Sequence, residues 1–346
     1  MSSISSFGRL AVITSAALLL LQSCGSSADH AAYHDNTGRT DAWSGGERII
    51  SISTPKGEFK VWTKRVGNNP DIKVLLLHGG PGLTHEYLLA FDSFFPGAGI
   101  EYYHYDQLGS FGSDQPDDDD LWTIPRFVEE VEQVRQALGL TQDNFYIYGS
   151  SWGGILGMEY ALKYQHNLKG LIISNMMASI PDYNRYADEV LAERIAPQAL
   201  AELRAIEAAE DFDNPRYMEL LIPEHYERHV LRKPFAEWPV PVLRSFDHIN
   251  PKVYVLMQGP SEFGASGRLL NWDIKDQLHN LSVPILTIGG AWDTMDPAHM
   301  EWMAGEVQNG RYLHCPNSGH LAMYDDQELY MAGVIQFIRD VDSGKM

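Results

Sequence analysis

The sequence has few cysteines and few basic residues. Cys24 and Cys315 are the only cysteines among 346 residues, which excludes a disulfide-stapled scaffold and a cysteine-rich zinc site. Lysine and arginine total 26 against 46 acidic residues, so the net charge is −20 and a nucleic acid is not an expected partner. No low-complexity or collagen-like repeat is present. With 44% hydrophobic residues, the chain can bury a substantial core.

The apolar run near the N-terminus is too short to cross a bilayer. It extends from Leu10 to Leu21 after one basic residue, Arg9, as in a secretory signal. Its end, Leu21-Gln22-Ser23-Cys24, resembles bacterial lipoprotein signals, in which a peptidase cuts before the cysteine and the thiol carries a diacylglycerol. We therefore expect a signal peptide at residues 1–23 and a lipid anchor at Cys24, with the protein in the bacterial cell envelope. An ordinary secretory leader is the alternative.

The segment after this leader is polar and lacks periodicity. Residues 24–46 are mostly Ser, Asp, His, Asn and Gly, which predicts a flexible tether between lipid and enzyme. If Cys24 carries the lipid, Cys315 has no cysteine to pair with, and we expect its thiol to be buried.

Strand and helix patterns alternate after Glu47. Helical patterns cover residues 124–138, 152–164 and 329–341. The alternation predicts an α/β protein with a mostly parallel, twisted sheet flanked by helices. Short apolar or β-rich runs bounded by turn residues predict eight strands, at 48–53, 58–64, 73–77, 100–105, 144–148, 168–174, 284–289 and 311–314.

The alternation breaks in the middle of the chain. Residues 181–270 are rich in helical patterns, prolines and aromatics, without strand signals. We interpret this segment as a helical cap inserted into the sheet domain. The two parts of that domain are then residues 47–180 and 271–346.

A G-x-S-x-G motif marks the candidate nucleophile. Gly149-Ser150-Ser151-Trp152-Gly153 lies between a predicted strand and a predicted helix. That context places Ser151 on a sharp turn at the carboxyl end of the strand, where small neighbours let strand and helix approach. The motif alone is common by chance, so the prediction of a catalytic Ser151 rests on this context.

A serine nucleophile needs a base and an orienting acid, which in this arrangement follow in the order Ser, acid, His. Asp293 and Asp296 compete for the role of acid after the strand at 284–289. Asp296 precedes Pro297, a pairing typical of a helix N-cap, so its carboxylate is expected to bond backbone amides. Asp293 is therefore the preferred acid.

Three histidines follow the acid. His299 falls within the helix that Pro297 begins, and His314 lies in a strand pattern and is expected to pack in the core. His320 follows the turn at 316–319, where a base can reach Ser151. We predict His320 as the general base.

A glycine-rich segment, His78-Gly79-Gly80-Pro81-Gly82, follows the first predicted parallel strand. Glycines let the backbone approach a ligand closely, and a tetrahedral intermediate needs preorganised N–H donors. We expect the amides of Gly80 and Trp152 to form the oxyanion hole. A merely tight turn is the alternative, and the absence of a G-x-x-x-x-G-K pattern argues against phosphate binding.

Together these motifs resemble those of the proline iminopeptidases (prolyl aminopeptidases). The resemblance covers the chain from about Glu47 to its end. It implies an α/β-hydrolase fold and a serine peptidase that releases an N-terminal residue, preferentially proline, from peptides with a free N-terminus, without metal or cofactor. It rests, in this order, on HGGPG at 78–82, DQLGS at 106–110, GSSWGG at 149–154, the Asp293 loop and SGH at 318–320.

The resemblance also implies that carboxylates of the cap hold the substrate's N-terminal ammonium. Glu262, in Gly259-Pro260-Ser261-Glu262-Phe263, and Glu219, near Pro215 and Tyr217, lie in segments similar to those of archaeal-type members. Both are predicted substrate-binding residues, because an ammonium pairs naturally with a buried carboxylate. Phe111 departs from the family, which usually has glycine there, so its loop is expected to pack differently.

Other functions fit parts of the sequence. A carboxylesterase or lactone hydrolase would keep the same fold and triad, since neither fixes the acyl group. A lipid-tethered binding protein without catalysis is disfavoured while Ser151, Asp293 and His320 are all present. The acidic run at Asp117–Asp120 lacks the spaced ligands and glycine of a calcium loop and predicts a solvated turn.

Overall fold

The computed structural model describes residues 32–37 and 46–346. The predicted signal peptide at residues 1–23 and the predicted lipidation site at Cys24 lie outside these ranges. Within them, no helix combines the length and the apolar character needed to cross a membrane.

In the described residues, eight strands form one sheet in the order β1-β2-β4-β3-β5-β6-β7-β8. The first two strands form a hairpin, and the second pairs antiparallel with the fourth. All other neighbours are parallel, as predicted. The strands are β1 (Glu47–Thr54), β2 (Gly57–Val66), β3 (Lys73–Leu77), β4 (Glu101–Asp106), β5 (Phe145–Ser150), β6 (Gly170–Ser174), β7 (Ile285–Gly290) and β8 (Gly310–Cys315).

The helices cover both faces of this sheet. Two of the predicted helices have the predicted bounds, and the last one is longer by three residues. The helices are α1 (Phe95–Ala98), α2 (Ile124–Leu138), α3 (Trp152–Tyr164), α4 (Ile180–Tyr186), α5 (Pro197–Ala208), α6 (Pro215–Leu221), α7 (Val240–Asp247), α8 (Pro251–Met257), α9 (Pro297–Glu306), α10 (Ala322–Asp325) and α11 (Gln327–Asp342).

Alternate residues of the central strands pack into two apolar cores. On β3, Leu75 and Leu77 join the core that contains residues of α2 and α3. Val74 and Leu76 join the opposite core, which contains residues of α11. Side chains of a strand alternate between faces, so a strand covered on both sides reads as an unbroken apolar run. This explains why β3 could be located from its sequence.

The helices α4 to α8 lie between β6 and β7 in the chain, where the cap was expected. Asn250, the N-cap of α8, connects this segment to two loops of the sheet domain. Its backbone amide donates to the carbonyl of Gly82 over 2.8 Å, and its side-chain amide donates to the carbonyl of Gly109 over 2.9 Å. Both loops follow the carboxyl ends of parallel strands, so the cap lies over that edge of the sheet.

The predicted tether needs correction at residues 32–37. Tyr33 is 6% exposed, and its hydroxyl donates to the carbonyl of Ile100 over 2.7 Å. Asn68 donates to the carbonyls of Ala32 and Asp35. These residues are therefore docked on the sheet domain, because an aromatic ring buried with its hydroxyl bonded outweighs the polar character of its neighbours.

The end of β8 tests two further predictions. Cys315 is buried as expected, and burial raises the pKa of its thiol to about 12, so the thiol stays protonated. The prediction for His314 was wrong, since its side chain is exposed. β8 is an edge strand of the sheet, and part of its surface faces solvent.

Candidate active site

Ser151 occupies the turn between β5 and α3. Its backbone has φ 55° and ψ −123°, a conformation that a residue with a side chain rarely adopts. Its amide donates to the carbonyl of Ser174 at the end of β6 over 2.9 Å. A β-carbon on Gly153 would lie 2.2 Å from the carbonyl oxygen of Leu77, so glycine is required where the helix crosses β3. The motif therefore forms the sharp strand-to-helix turn that the sequence predicts.

Asp293 and His320 form a buried pair. Oδ1 of Asp293 lies 2.8 Å from Nδ1 of His320, and the two residues are 0% and 4% exposed. Asp293 follows β7 and His320 follows β8, so both lie at the edge of the sheet where Ser151 follows β5. Parallel strands bring their carboxyl ends to one edge, which is how residues so distant in sequence converge.

Asp296, the rejected alternative, caps α9. Its carboxylate accepts a hydrogen bond from the amide of Ala298 over 2.9 Å. His299 lies within the same helix, where Nε2 accepts a hydrogen bond from the amide of Ala178. Both side chains therefore have local structural partners, and the argument from the proline at the first helical position holds.

Opposing effects set the protonation of His320. Burial disfavours the charged imidazole, but the charge and hydrogen bond of Asp293 and the charge of Glu262 outweigh it and raise the pKa of His320. Nε2 of His320 is buried and has no hydrogen-bond partner among the described residues. That nitrogen is the one a hydroxyl nucleophile would use, and such bonds often tighten only when substrate binds.

Asn175 completes the support of the acid, and the sequence did not indicate it. Its side-chain amide donates to Oδ2 of Asp293 over 2.6 Å, and the residue is fully buried just after β6. The amide of Met295 donates to Oδ1 over 3.1 Å. Both oxygens of the carboxylate are thereby held, which fixes the plane in which His320 is oriented. A single Asn after a strand carries no sequence signal for this role.

The glycine-rich loop after β3 lies directly beside Ser151. A β-carbon on Gly79 would lie 3.1 Å from Cβ of Ser151. The amide of Gly79 donates to the hydroxyl of Tyr87 over 2.8 Å, so it is occupied. The amides of Gly80 and Trp152 donate no hydrogen bond to any group that the structure describes. These are the two amides predicted to form the oxyanion hole.

Gln107 connects this loop to the turn that carries Ser151. Its amide donates to Nε2 of His78 and its side-chain nitrogen to the carbonyl of His78, both over 3.1 Å. The indole of Trp152 donates to its side-chain oxygen over 2.8 Å. Burial lowers the pKa of His78 to about 4, so the imidazole is neutral and can accept at Nε2. The DQLGS and HGGPG segments thus form one buried network.

Glu262 projects from the cap into a group of tyrosines. The hydroxyl of Tyr254 donates to Oε1 over 2.6 Å, and that of Tyr226 donates to the backbone amide of Glu262 over 3.2 Å. The carbonyl of Glu262 accepts from Tyr183 over 2.7 Å and lies 3.0 Å from Nε2 of His225. Oε2 accepts no hydrogen bond from the described part of the chain. Glu262 is therefore fixed by its backbone and one oxygen, with the other oxygen available.

Glu219 is not part of this group, and its assignment as a substrate-binding residue is corrected. Its side chain is 62% exposed on α6 and forms an ion pair with Arg216. None of its contacts is with the residues around Ser151. The orientation of α6 in the cap, which the sequence does not specify, turns this carboxylate to solvent.

Two other predictions concern the edges of the site. The ring of Phe111 stacks on His248 of the cap, with centroids 4.1 Å apart and planes at 7°. The unusual residue in the DQLGS loop thus contacts the cap. The acidic run at Asp117–Asp120 is neutralised by Lys56 and Lys252. Among the described residues, no three potential ligands are grouped to hold a metal ion.

Comparison with known proteins agrees with this arrangement. The sequence profile of the α/β hydrolase fold matches residues 73–327. The proline iminopeptidase of Flavobacterium johnsoniae is 60% identical over 298 residues, covering 86% of this chain and 100% of that protein. The enzyme of the same name from Elizabethkingia meningoseptica is also 60% identical, over 297 residues, covering 85% of this chain and 99% of its own.

A solved structure shows the same similarity in three dimensions. The crystal structure of the proline iminopeptidase from Mycobacterium smegmatis superposes with a TM-score of 0.75 at 30% sequence identity. The alignment covers 86% of this chain and 100% of that one. The likeness therefore includes the cap as well as the sheet.

Proposed function

Because the chain belongs to the proline iminopeptidase family of α/β hydrolases, we propose that it is a serine aminopeptidase that releases an N-terminal residue, preferentially proline, from peptides. The observation that carries the proposal is the placement of Glu262. Its free oxygen lies close enough to His320 for its charge to raise the pKa of that imidazole. A carboxylate at that place pairs with a substrate ammonium next to the bond to be cleaved.

The proposed mechanism uses Ser151, His320 and Asp293. Nε2 of His320 takes the hydroxyl proton as the oxygen of Ser151 attacks the carbonyl carbon of the first residue. Asp293 keeps the second ring nitrogen protonated and stabilises the resulting imidazolium over the 2.8 Å contact. His320 then gives the proton to the departing amine, and an acyl-enzyme remains on Ser151. A water molecule, deprotonated by the same imidazole, releases the amino acid and restores the serine.

The amides of Gly80 and Trp152 are the proposed donors to the oxyanion. Neither is used by the described protein groups, and the loop that carries Gly80 lies against Ser151. Donors that are already oriented need no reorganisation when the carbonyl oxygen becomes negative. The Gln107 network holds both segments, so it positions the donors without touching the substrate.

Glu262 is the proposed partner of the N-terminal ammonium. Tyr254 donates to Oε1, which leaves Oε2 for a substrate N–H. The protonated ring nitrogen of proline offers two N–H groups and a compact apolar ring. An ester or lactone substrate has no such cation, so the buried carboxylate would be left unpaired. This favours the peptidase over the alternative of a carboxylesterase or lactone hydrolase.

The test compares three substrates on the purified enzyme. Proline p-nitroanilide should be hydrolysed, N-acetylproline p-nitroanilide should be hydrolysed at least about 100-fold more slowly, and p-nitrophenyl acetate should be a poor substrate. A fluorophosphonate should label the wild type and not Ser151→Ala. Strong ester turnover without release of the anilide would contradict the proposal. An unlabelled Ser151 would contradict catalysis by this serine.

We also propose that Cys24 is lipidated and that the enzyme acts on peptides in the cell envelope. The support is the sequence Leu21-Gln22-Ser23-Cys24 after the apolar run. Cells that express the full chain should incorporate a labelled fatty acid into it, and Cys24→Ser should remove the label and release the protein from the membrane fraction. A soluble, unlabelled wild-type protein would overturn this proposal and would leave the proposed activity unaffected.

A further inference from the structure

A basic cavity opens beside the loop that carries Asp293. Its volume is about 340 Å³, and three of its six lining side chains are arginines in a chain of net charge −20. Positive charge is therefore concentrated at one place on an otherwise acidic protein. The lining residues are Arg194, Glu227, Arg228, His229, Arg232 and Trp292.

Two of these arginines stack on an exposed tryptophan. The guanidinium carbon of Arg232 lies 4.2 Å from the ring centroid of Trp292, and that of Arg194 lies 5.7 Å away. Trp292 is 42% exposed. A guanidinium stacked on a ring keeps its N–H edge free to bind an anion in a bidentate manner. The stacking therefore orients both cations without occupying their donors.

Neither stacked arginine is neutralised. Among the residues that the structure describes, Arg194 and Arg232 form no ion pair with a carboxylate. Arg228 differs, since it pairs with Glu224 at 3.3 Å and donates to the backbone carbonyl of Arg194. The one carboxylate in the lining, Glu227, accepts from the amide of Phe235 over 2.6 Å. The cavity thus retains two cations whose charge the protein does not compensate.

The wall of the cavity is continuous with the catalytic loop. Trp292 immediately precedes Asp293, and its carbonyl lies 2.6 Å from Nδ1 of His229. The carbonyl of His229 accepts from the amide of His320 over 2.7 Å. One layer of backbone therefore separates the cavity from the general base. A ligand in the cavity lies beside the place where a peptide substrate is cleaved.

His229 adds an acceptor to the wall. It is 1% exposed, and Nε2 has no partner in the described part of the chain. Burial, reinforced by the charge of Arg194, lowers the pKa of His229 to about 4 despite the hydrogen bond to Trp292. The ring is thus neutral, Nδ1–H donates to the carbonyl and Nε2 keeps a lone pair. An N–H group of a ligand can fill it.

We propose that this cavity is a subsite for a carboxylate on the departing part of the peptide, held by Arg194 and Arg232. The C-terminal residue of a short peptide fits best, because it offers a carboxylate for the arginines and an adjacent N–H for His229. An acidic side chain offers the carboxylate alone. This proposal rests on the proposed aminopeptidase function and specifies which peptides it prefers.

The test is a ratio of two matched substrates. For Pro-Gly-Gly and its C-terminal amide, kcat/KM should be about tenfold higher for the free acid, the effect of one charge-assisted recognition step. A second pair, Pro-Glu-Gly-amide and Pro-Gln-Gly-amide, tests the acidic side chain as the source. The acid-to-amide ratio should fall toward one in high salt, because the attraction is electrostatic.

Variants then assign the ratio to the cavity. Arg194→Gln with Arg232→Gln should bring the ratio close to one, while the remaining turnover of the peptide amide reports a folded enzyme. Arg216→Gln, an exposed arginine paired on α6, is the matched control and should keep the wild-type ratio. If the double variant does not fold, the salt dependence of the wild type decides.

The outcomes separate the subsite from the activity. Wild-type enzyme that cleaves proline p-nitroanilide but shows an acid-to-amide ratio of one would overturn the subsite alone. A ratio that survives in the double variant would place carboxylate recognition elsewhere. An enzyme that cleaves neither the anilide nor any of the peptides would overturn the proposed function itself.

Discussion

The side-chain amide of Asn175 donates to Oδ2 of Asp293 over 2.6 Å, while Oδ1 faces His320. Asn175 has a positive φ of 56°, which Asn tolerates better than most residues. The carboxylate is therefore held on its second side by a residue at the end of the neighbouring strand. The orientation of the catalytic pair depends on β6 as well as on β7 and β8.

Asn175→Ala removes this donor and leaves a buried carboxylate oxygen unsatisfied. We expect the free energy of unfolding to fall by about 1–3 kcal/mol. We expect kcat to fall by about 10- to 100-fold, because His320 loses its fixed orientation. Chemical denaturation and steady-state kinetics measure both. Asn309→Ala, which removes an exposed side-chain donor at the opposite end of the sheet, should change neither by much. Unchanged kcat in Asn175→Ala would show that Asp293 needs no second support.

The pH dependence follows from the raised pKa of His320. The base must be neutral to act, so kcat/KM should rise with pH through a pKa above the ordinary value of histidine. Asp293→Asn removes the charge that opposes burial, so the rise should move to lower pH while kcat falls on the order of 10⁴-fold, as for triads in general. Glu262→Gln should move it in the same direction by less. NMR titration of the imidazole checks the assignment, and a rise that stays in place in Asp293→Asn would contradict it.

The same shift has a consequence for stability. The folded-state pKa of His320 lies above the unfolded value, so its protonated form stabilises the fold. That contribution is present in full below the unfolded pKa and is lost as the pH rises through the folded pKa.

Ser151→Gly should be inactive and yet more stable than the wild type. Glycine adopts φ 55° without strain, and residues held in such conformations cost about 1–3 kcal/mol. Since glycine also gains freedom in the unfolded chain, we expect a net increase of about 1 kcal/mol in the free energy of unfolding. Ser150→Gly, one residue earlier in β5, should instead decrease it. Thermal or chemical unfolding distinguishes the two, and a loss of stability in Ser151→Gly would show that the turn is unstrained.

Glu262→Gln should damage the use of free-amine substrates far more than that of N-blocked esters. Losing a charged partner for the ammonium should lower kcat/KM for proline p-nitroanilide by about 10- to 100-fold. Glu219→Gln is the matched control, since that glutamate is exposed and paired with Arg216. Equal losses on both substrate types would mean that Glu262 supports the cap and does not bind substrate.

Residues whose position depends on local chemistry could be predicted from the sequence. The turn at Ser151 follows from glycines that sterics require, and Asp293 could be separated from Asp296 because a proline at the first helical position identifies the cap. The central strands were located because burial on both faces leaves continuous apolar runs.

Residues whose position depends on packing between distant elements could not be predicted. Glu219 turned out to face solvent because the rotation of α6 is set by the rest of the cap. His314 is exposed because β8 is an edge strand, which its apolar neighbours do not reveal. Asn175 and Gln107 act through single hydrogen bonds to residues far along the chain, and such contacts leave no local pattern.

The docking of Tyr33 limits how far the enzyme can move from a membrane. If Cys24 carries the proposed lipid, nine residues separate the bilayer surface from the point where the chain is fastened to the sheet domain, a reach of at most about 30 Å. Tyr33→Ala would shift the fastening point toward Gly46 and lengthen that reach to about 75 Å. Energy transfer from a dye on the sheet domain to one in the bilayer should therefore weaken in this variant. A buried tyrosine would then act as the clamp that sets the height of an enzyme above its membrane.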